Sequence, residues 1–341
     1  MKKLTIGIIG AGRIGQLHAA NALRSDKIVL KTIADMYTDH LSETNIPSNV
    51  PVITQNPDDI FNDSEIDAVF ICSSTDSHVD FIKKAAHAKK HIFCEKPISM
   101  SMDESKEALE VVKATGIKYQ IGFNRRFDKH FKAAYEAVRN NKIGTPHIIK
   151  ITSRDPEAPP ESYIQKSGGM FMDMTIHDFD MIRYLANQEV KDITVKATSL
   201  IDEKFTRNDD VDTAVITITF ADGTLGVIDN SRQAVYGYDQ RIEIFGNEGL
   251  ITVENEKATN VTVSSKEMVT TDKPKYFFLE RYNDAFIAEI DSFVEAVLED
   301  KPVLATIDDG LQAQLLAVAA KISWKENRTV EVASLLTEQQ V

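Results

Sequence analysis

Between Gly168 and Asp180 the chain reads GGMFMDMTIHDFD, and three of these residues could handle a proton together. If the stretch after the glycine pair is helical, Asp173 and His177 stand four apart and Asp180 three further on, so all three share one face. An imidazole held beside a carboxylate accepts a proton near neutral pH, because its unperturbed pKa of about 6.5 lies there. The same residues also describe an ordinary helix start, with Asp173 favoured in the first turn by the helix dipole and His177 half-buried. Zinc is a poor fit to Asp173, His177 and Asp180, which offer one imidazole and no second histidine at i, i+4. The other candidate is Lys96, in the turn Glu95-Lys96-Pro97 after the apolar run His91–Cys94. The proline restricts the backbone before it, so the ammonium can be aimed at an oxygen that gains negative charge. Surface lysines far outnumber catalytic ones, and the decision rests on the elements around these groups.

Those elements begin at the N-terminus. Residues 4–9 (LTIGII) fit a buried parallel strand, GAGRIG follows at Gly10–Gly15, and Ile14–Leu23 is helix-like. Strand, glycine turn and helix together give GxGxxG its meaning. Gly10 allows the tight turn, Gly12 lets backbone approach a pyrophosphate, and Gly15 lets helix pack on strand, with the phosphates at the helix N-terminus beside Arg13 and Ile14. A second strand, Ile28–Ala34, ends at Asp35, where a carboxylate meets ribose hydroxyls and repels a 2′-phosphate. No arginine follows in Met36-Tyr37-Thr38, so NAD is expected over NADP. The rhythm continues through strand Ala68–Ser73, helix Ser77–Ala88, strand His91–Cys94, helix Met102–Thr115 and strand Lys118–Ile121. It predicts a doubly wound parallel sheet with ligand at the carboxyl ends of the strands. The expected cofactor set there adds Ser73, Ser74, Thr75, His78, Glu95, Lys96 and Asn124. In Gly122–Phe127 one of Arg125 and Arg126, with Arg125 preferred, is expected to face substrate while the other is structural.

At 341 residues the chain exceeds what one core usually serves, and we place an NAD-binding Rossmann domain at 1–122 and an α/β domain at 123–341. From Pro146 onward the βαβ rhythm gives way to β-rich runs at 147–152, 193–198, 213–220, 225–230, 241–245 and 250–253. Turn signals at 221–223 and 246–249 separate neighbours, as in an antiparallel meander. In TAVITITF, residues 213–220, the second face carries Val215 and threonines and no charge, so a second subunit is expected to cover it. Apolar stripes at Tyr282–Val297 and Leu311–Trp324 are packing helices, expected to return to the first domain. The net charge of −13 argues against nucleic acid and against anionic membranes. Short apolar runs exclude a spanning helix, the N-terminal run lacks a cleavage site, and Cys72 and Cys94 read as buried thiols; a cytoplasmic location is expected.

GAGRIG, Glu95-Lys96-Pro97, Gly122–Phe127 and GGMFMDMTIHDFD, in this order and at these separations, resemble the glucose–fructose oxidoreductase / inositol dehydrogenase / MocA (Gfo/Idh/MocA) family, bacterial inositol 2-dehydrogenases above all. The resemblance implies that Lys96, Asp173 and His177 match the family's catalytic lysine, aspartate and histidine. It also implies a second domain with a large open, mostly antiparallel sheet that builds homotetramers. Asp155, in the proline-rich segment Ser153–Ser167, lies where the family places a substrate-binding polar residue. Tyr236 is similar in place to a substrate-contacting tyrosine, and Tyr238 stands as its alternative. The implied reaction is NAD-dependent oxidation of a ring alcohol of myo-inositol, in which Lys96, Arg125, Asp155, Asp173, His177, Asp180 and Tyr236 would hold the polyol. Oxidation of scyllo-inositol or another sugar competes with it, as does a non-catalytic NAD-dependent sugar sensor. A sensor has no need of the lysine, aspartate and histidine together.

Overall fold

Six short runs rich in apolar, often β-branched residues pair side by side, the inner ones buried on both faces and the edge run Val52–Thr54 largely exposed. They are β1 (Leu4–Ile9), β2 (Ile28–Ala34), β3 (Val52–Thr54), β4 (Ala68–Ile71), β5 (His91–Cys94) and β6 (Tyr119–Ile121). The coordinates are a computed structural model that describes residues 2–39, 41 and 50–337. All pairs in this sheet are parallel, in the order β3-β2-β1-β4-β5-β6. The order reverses between β1 and β4, which opens a crevice at their carboxyl ends. Helices Arg13–Arg24, His78–His87 and Met102–Thr115 fall within a residue or two of the expected spans. The strand expected over Ala68–Ser73 stops at Ile71, because Thr75–Ser77 already turns as a 3₁₀ segment into the next helix.

The chain divides into two compact units, one of residues to Phe127 with Asp284–Gln312, the other of Asp128–Asn283 with the chain from Ala313. In the first, Ile290, Phe293 and Val294 of helix Asn283–Leu298 join the core formed by Ile6, Ile8, Phe70 and Phe93. The same helix buries Glu289 completely, with no hydrogen-bond partner for either carboxylate oxygen. Burial, and then the charge of Glu95, push this carboxyl well above the usual carboxylate range. The folded protein therefore keeps a proton that the unfolded chain releases near pH 4.3. Stability contributed by this group is complete below that pH and is lost as pH rises toward the folded value. Glu289→Gln is expected to raise the melting temperature by about 2 °C or more at pH 8 and by much less at pH 5. Thermal unfolding at the two pH values checks this, and an equal or negative shift at pH 8 would refute it.

The second unit holds β7 (Pro146–Arg154), β8 (Val190–Thr198), β9 (Thr213–Phe220), β10 (Leu225–Ser231), β11 (Asp239–Gly246), β12 (Gly249–Val253), the hairpin β13 (Thr262–Ser264) and β14 (Val269–Thr271), and β15 (Val330–Glu331). Its main sheet runs β12-β11-β7-β10-β9-β8-β15. Every pair is antiparallel except β7 with β10, so the meander is interrupted by β7 lying between β10 and β11. Alternation decides the faces: Ala214, Ile216, Ile218 and Phe220 are buried, with Ile149, Ile151, Ile228 and Ile244. On the opposite face Leu250, Phe245, Ile148 and Leu225 stand side by side across four strands, and Val215 lies on the same face four residues further along, each 41–54% exposed.

Candidate active site

In the first unit the crevice is built by residues that have no room for larger ones. A Cβ on Gly10, whose φ is +93°, would lie 2.5 Å from the backbone N of Ser73, and one on Gly15 would lie 1.9 Å from the Gly10 carbonyl oxygen. Gly12 has open space instead, and no side chain caps the helix Arg13–Arg24 that begins after it. Both features fit a pyrophosphate taken by backbone N–H groups at a helix N-terminus, with Arg13 exposed and Ile14 half-buried beside it. The Asp35 carboxylate accepts from the Ala11 N–H (2.6 Å) and the Tyr37 N–H (2.8 Å), which fixes it at the end of β2 with lone pairs to spare for ribose hydroxyls. Ser73 pairs with Ser77 through their hydroxyls (2.7 Å), while Ser74 is exposed and Thr75 half-exposed.

Three of the residues expected at the cofactor, His78, Glu95 and Asn124, are buried or have protein partners of their own. His78 is buried, with Nδ1 2.8 Å from the Pro97 carbonyl oxygen and Nε2 3.1 Å from that of Ser73, so both nitrogens face backbone. Burial lowers its pKa, against the pull of those two carbonyls. Glu95 directs its carboxylate to His18, at 2.8 Å. Asn124 is buried in the 3₁₀ turn Asn124–Phe127. Lys96, half-buried, lies between Glu95 and Pro97 in a cis Lys96-Pro97 turn at the end of β5. Of the arginine pair, Arg126 is committed to the Leu304 carbonyl (2.7 Å) and to Asp309 (2.9 Å). Arg125 is buried beside it. Burial pushes the thiols of Cys72 and Cys94 up, so neither is poised as a thiolate.

In the second unit the expected single helix through Asp173, His177 and Asp180 is broken. One helix spans Gly169–Asp173 and the next Ile176–Ala186, so Asp173 and His177 belong to different helices while His177 and Asp180 share one. The Met174 and Thr175 amides both donate to the Met170 carbonyl, and the buried Thr175 hydroxyl donates to Asn230 Oδ1 (2.7 Å). Asn230 in turn donates to the buried Asp178 (2.9 Å), and this tertiary network supplies the reason for the break. His177 is half-buried and Asp180 buried.

The residue that sequence reading missed is Arg232. Buried just after β10, it donates through Nη2 to Asp173 Oδ2 and through Nη1 to Asp155 Oδ2, each at 3.1 Å. Burial works against its charge, but Asp173, Asp155 and Asp210 hold its pKa above the usual arginine range. Tyr163 donates to the other oxygen of Asp173 (2.8 Å). Asp210, whose own pKa burial raises, accepts from the Met170 N–H (2.8 Å). A Cβ at Gly169 would come within 2.8 Å of its carboxylate, which explains the second glycine of the pair. Two expected residues, Asp155 and Asp173, are thus joined through one guanidinium. Tyr236 is not joined to them: its hydroxyl donates to Asp239 (2.5 Å) and accepts from Arg154 (3.2 Å). Tyr238 is core, its ring edge-on to Tyr282 at 5.9 Å.

A six-stranded parallel sheet with a glycine turn, an acidic residue ending β2 and a lysine ending β5 defines a dinucleotide-dependent oxidoreductase. A family model described as the oxidoreductase family with NAD-binding Rossmann fold matches residues 4–123, and one for the GFO/IDH/MocA C-terminal domain matches residues 131–252. The chain belongs to the Gfo/Idh/MocA family, and NAD is its dinucleotide. It is 50% identical over 322 residues to an uncharacterized oxidoreductase, YrbE, of Bacillus subtilis, covering 94% of each chain. It is 44% identical over 333 residues to the myo-inositol 2-dehydrogenase of Thermotoga maritima, covering 98% of this chain and 100% of that one. The crystal structure of scyllo-inositol dehydrogenase from Lactobacillus casei with bound NAD(H) and scyllo-inositol superposes with a TM-score of 0.90 at 31% identity, covering 97% of this chain and 100% of that one.

Proposed function

We propose that this protein oxidises one ring secondary alcohol of an inositol, myo-inositol foremost, to the corresponding ketone. NAD, when bound, accepts the hydride. The observation that carries the reading is the Lys96 turn, held on both sides by buried histidines at the mouth of a sheet whose glycine turn and Asp35 suit a dinucleotide. Hydride leaves carbon readily only as the hydroxyl proton departs. His177 takes that proton from the hydroxyl oxygen, and Asp173 stabilises the resulting imidazolium. The Lys96 ammonium stabilises the alkoxide-like oxygen in the transition state. Asp180, Asp155 and Arg125 supply polar partners for the other ring hydroxyls, and a substrate lacking those hydroxyls would leave buried groups unpaired. The hydroxyl of Tyr236 already serves Arg154 and Asp239, so it joins this set only by exchanging one of those bonds.

A panel of inositols and aldoses, followed by reduced-nicotinamide absorbance with NAD and NADP in parallel, tests the reading. Expected is turnover of myo- or scyllo-inositol above every aldose, with NAD favoured at least about tenfold because Asp35 repels a 2′-phosphate. Binding of an inositol without turnover would instead establish a sensor, and equal efficiency with both dinucleotides would remove the role given to Asp35.

We further propose a homotetramer, supported by the row Leu250, Phe245, Ile148 and Leu225, whose exposure across four strands calls for a covering surface. Sedimentation at micromolar concentration is expected to show four chains, and a monomer there would count against it. Two free cysteines, and the absence among the described residues of any helix long and apolar enough to cross a membrane, support a cytoplasmic setting. A reporter fusion found outside the cytoplasm would overturn that setting.

A further inference from the structure

We propose that His18 is a positioning residue for Lys96: its imidazole fixes the Glu95 carboxylate, and through it the turn that carries the ammonium. The inference rests on the role given to Lys96 above and extends it to a residue on the glycine-turn helix.

His18 is fully buried on helix Arg13–Arg24, and its Nε2 lies 2.8 Å from Glu95 Oε1, the protonated nitrogen donating to the carboxylate. Three aromatic rings wall the imidazole edge-on, Phe93 at 5.0 Å, Phe286 at 5.9 Å and Phe70 at 6.1 Å, so it cannot swing to another partner. The other Glu95 oxygen is equally confined, since even a Cβ on Gly122 would lie 2.9 Å from it. The Glu95 N–H donates to the Ile71 carbonyl (2.9 Å), which ties the backbone of the turn to β4. His78 meets the Pro97 carbonyl beyond Lys96 at 2.8 Å. The turn is thereby gripped before and after Lys96 by imidazoles from two different helices.

A purely structural pair accounts for this less well. Burying a carboxylate is costly, and apolar residues of the same volume often stabilise a protein as much or more. What the polar pair adds, and an apolar pair cannot, is direction. Misplacement of a reacting group by about 1 Å can cost a factor of about 100 in rate.

Reach separates the two readings. In His18→Gln the amide nitrogen takes the place of Nε2, while in His18→Asn it extends only as far as Nδ1. With NAD and inositol, His18→Asn is expected to lower kcat by about 10- to 100-fold with KM for NAD changed less than about threefold, and His18→Gln to recover kcat to within about fivefold of the parent. The second readout is pH-dependent labelling of Lys96 by an amine-reactive reagent, read by peptide mass spectrometry against the exposed Lys266 as an internal surface reference. The Asn variant should shift the Lys96 rate at least about threefold and the Gln variant should not. Should the Asn variant fail to fold, Glu95→Gln, which keeps shape and loses charge, is to produce the same shift at Lys96. Labelling does not depend on turnover, so a parent that oxidises no polyol defeats the function proposed above while the labelling still decides the role of His18. Equal Lys96 labelling in parent and Asn (or Glu95→Gln) variants, or equal losses in the Asn and Gln variants, would overturn the proposal.

Discussion

Lys96→Ala is expected to lower turnover of the preferred inositol by about two to three orders of magnitude while NAD binding stays within a fewfold of the parent. The magnitude follows from the place of the ammonium in the reaction. An alkoxide gains most of its charge in the transition state, so a donor fixed at that oxygen contributes more there than in the ground state, typically about 3–4 kcal/mol. That the donor is fixed is a property of the turn: Glu95 is held by His18 and Pro97 by His78, and neither bond involves Lys96 itself. Removing the side chain beyond Cβ should therefore leave the glycine turn and Asp35 unaltered, and with them the dinucleotide. Steady-state kinetics with inositol, and fluorescence titration with reduced nicotinamide, measure the two halves separately. Turnover within tenfold of the parent would refute the assignment. A loss of NAD affinity as large as the loss of turnover would make Lys96 a cofactor ligand rather than a stabiliser of the oxygen.

The first unit was largely legible because its signals are local. The apolar run 4–9, the glycines at 10, 12 and 15 and the acidic end of Ile28–Ala34 each report on residues within about twenty-five positions, and the observed strands agree. Faces in the second sheet were legible for the same reason, since the alternation in TAVITITF needs no partner to be read. What the sequence did not disclose depends on contacts between distant segments. Nothing in MFMDMTIHDFD breaks a helix by itself; the break at Met174 and Thr175 comes with Asn230, fifty-five residues further on. His78 has a plausible place for a cofactor contact, yet its nitrogens are taken by carbonyls of Ser73 and Pro97 on neighbouring strand ends. Arg232 is the strongest case. It sits in NSRQA, without motif or periodicity, and its partners lie 59 and 77 residues away. A hint lay in the sequence reading itself, which assigned three acidic residues, Asp155, Asp173 and Asp180, to the substrate and only one arginine.

Removing that guanidinium is expected to have the largest effect on stability. In Arg232→Met, Asp155 and Asp173 lose a shared buried partner whose contacts to them are both 3.1 Å. Breaking a buried ion pair from one side typically costs about 3–5 kcal/mol, because charge remains behind without compensation. For a unit of this size that corresponds to a fall in melting temperature on the order of ten degrees. The pH dependence gives the mechanism a separate signature. Without Arg232 the two carboxylates hold protons more tightly in the folded than in the unfolded chain, so the variant loses stability as pH rises above about 4. The gap between parent and variant should therefore be small near pH 5 and widen toward pH 8. Arg232→Lys keeps the charge but not the planar fork that reaches two carboxylates at once, and it should fall between the two. Adding Asp155→Asn to Arg232→Met removes one of the abandoned charges and should recover part of the loss at pH 8, a coupling that independent sites would not show. Thermal unfolding of the four proteins at both pH values is the measurement. A gap independent of pH, or an Asp155→Asn substitution that deepens the deficit, would mean that Arg232 is held for packing alone and that Asp173 does not owe its charge to it.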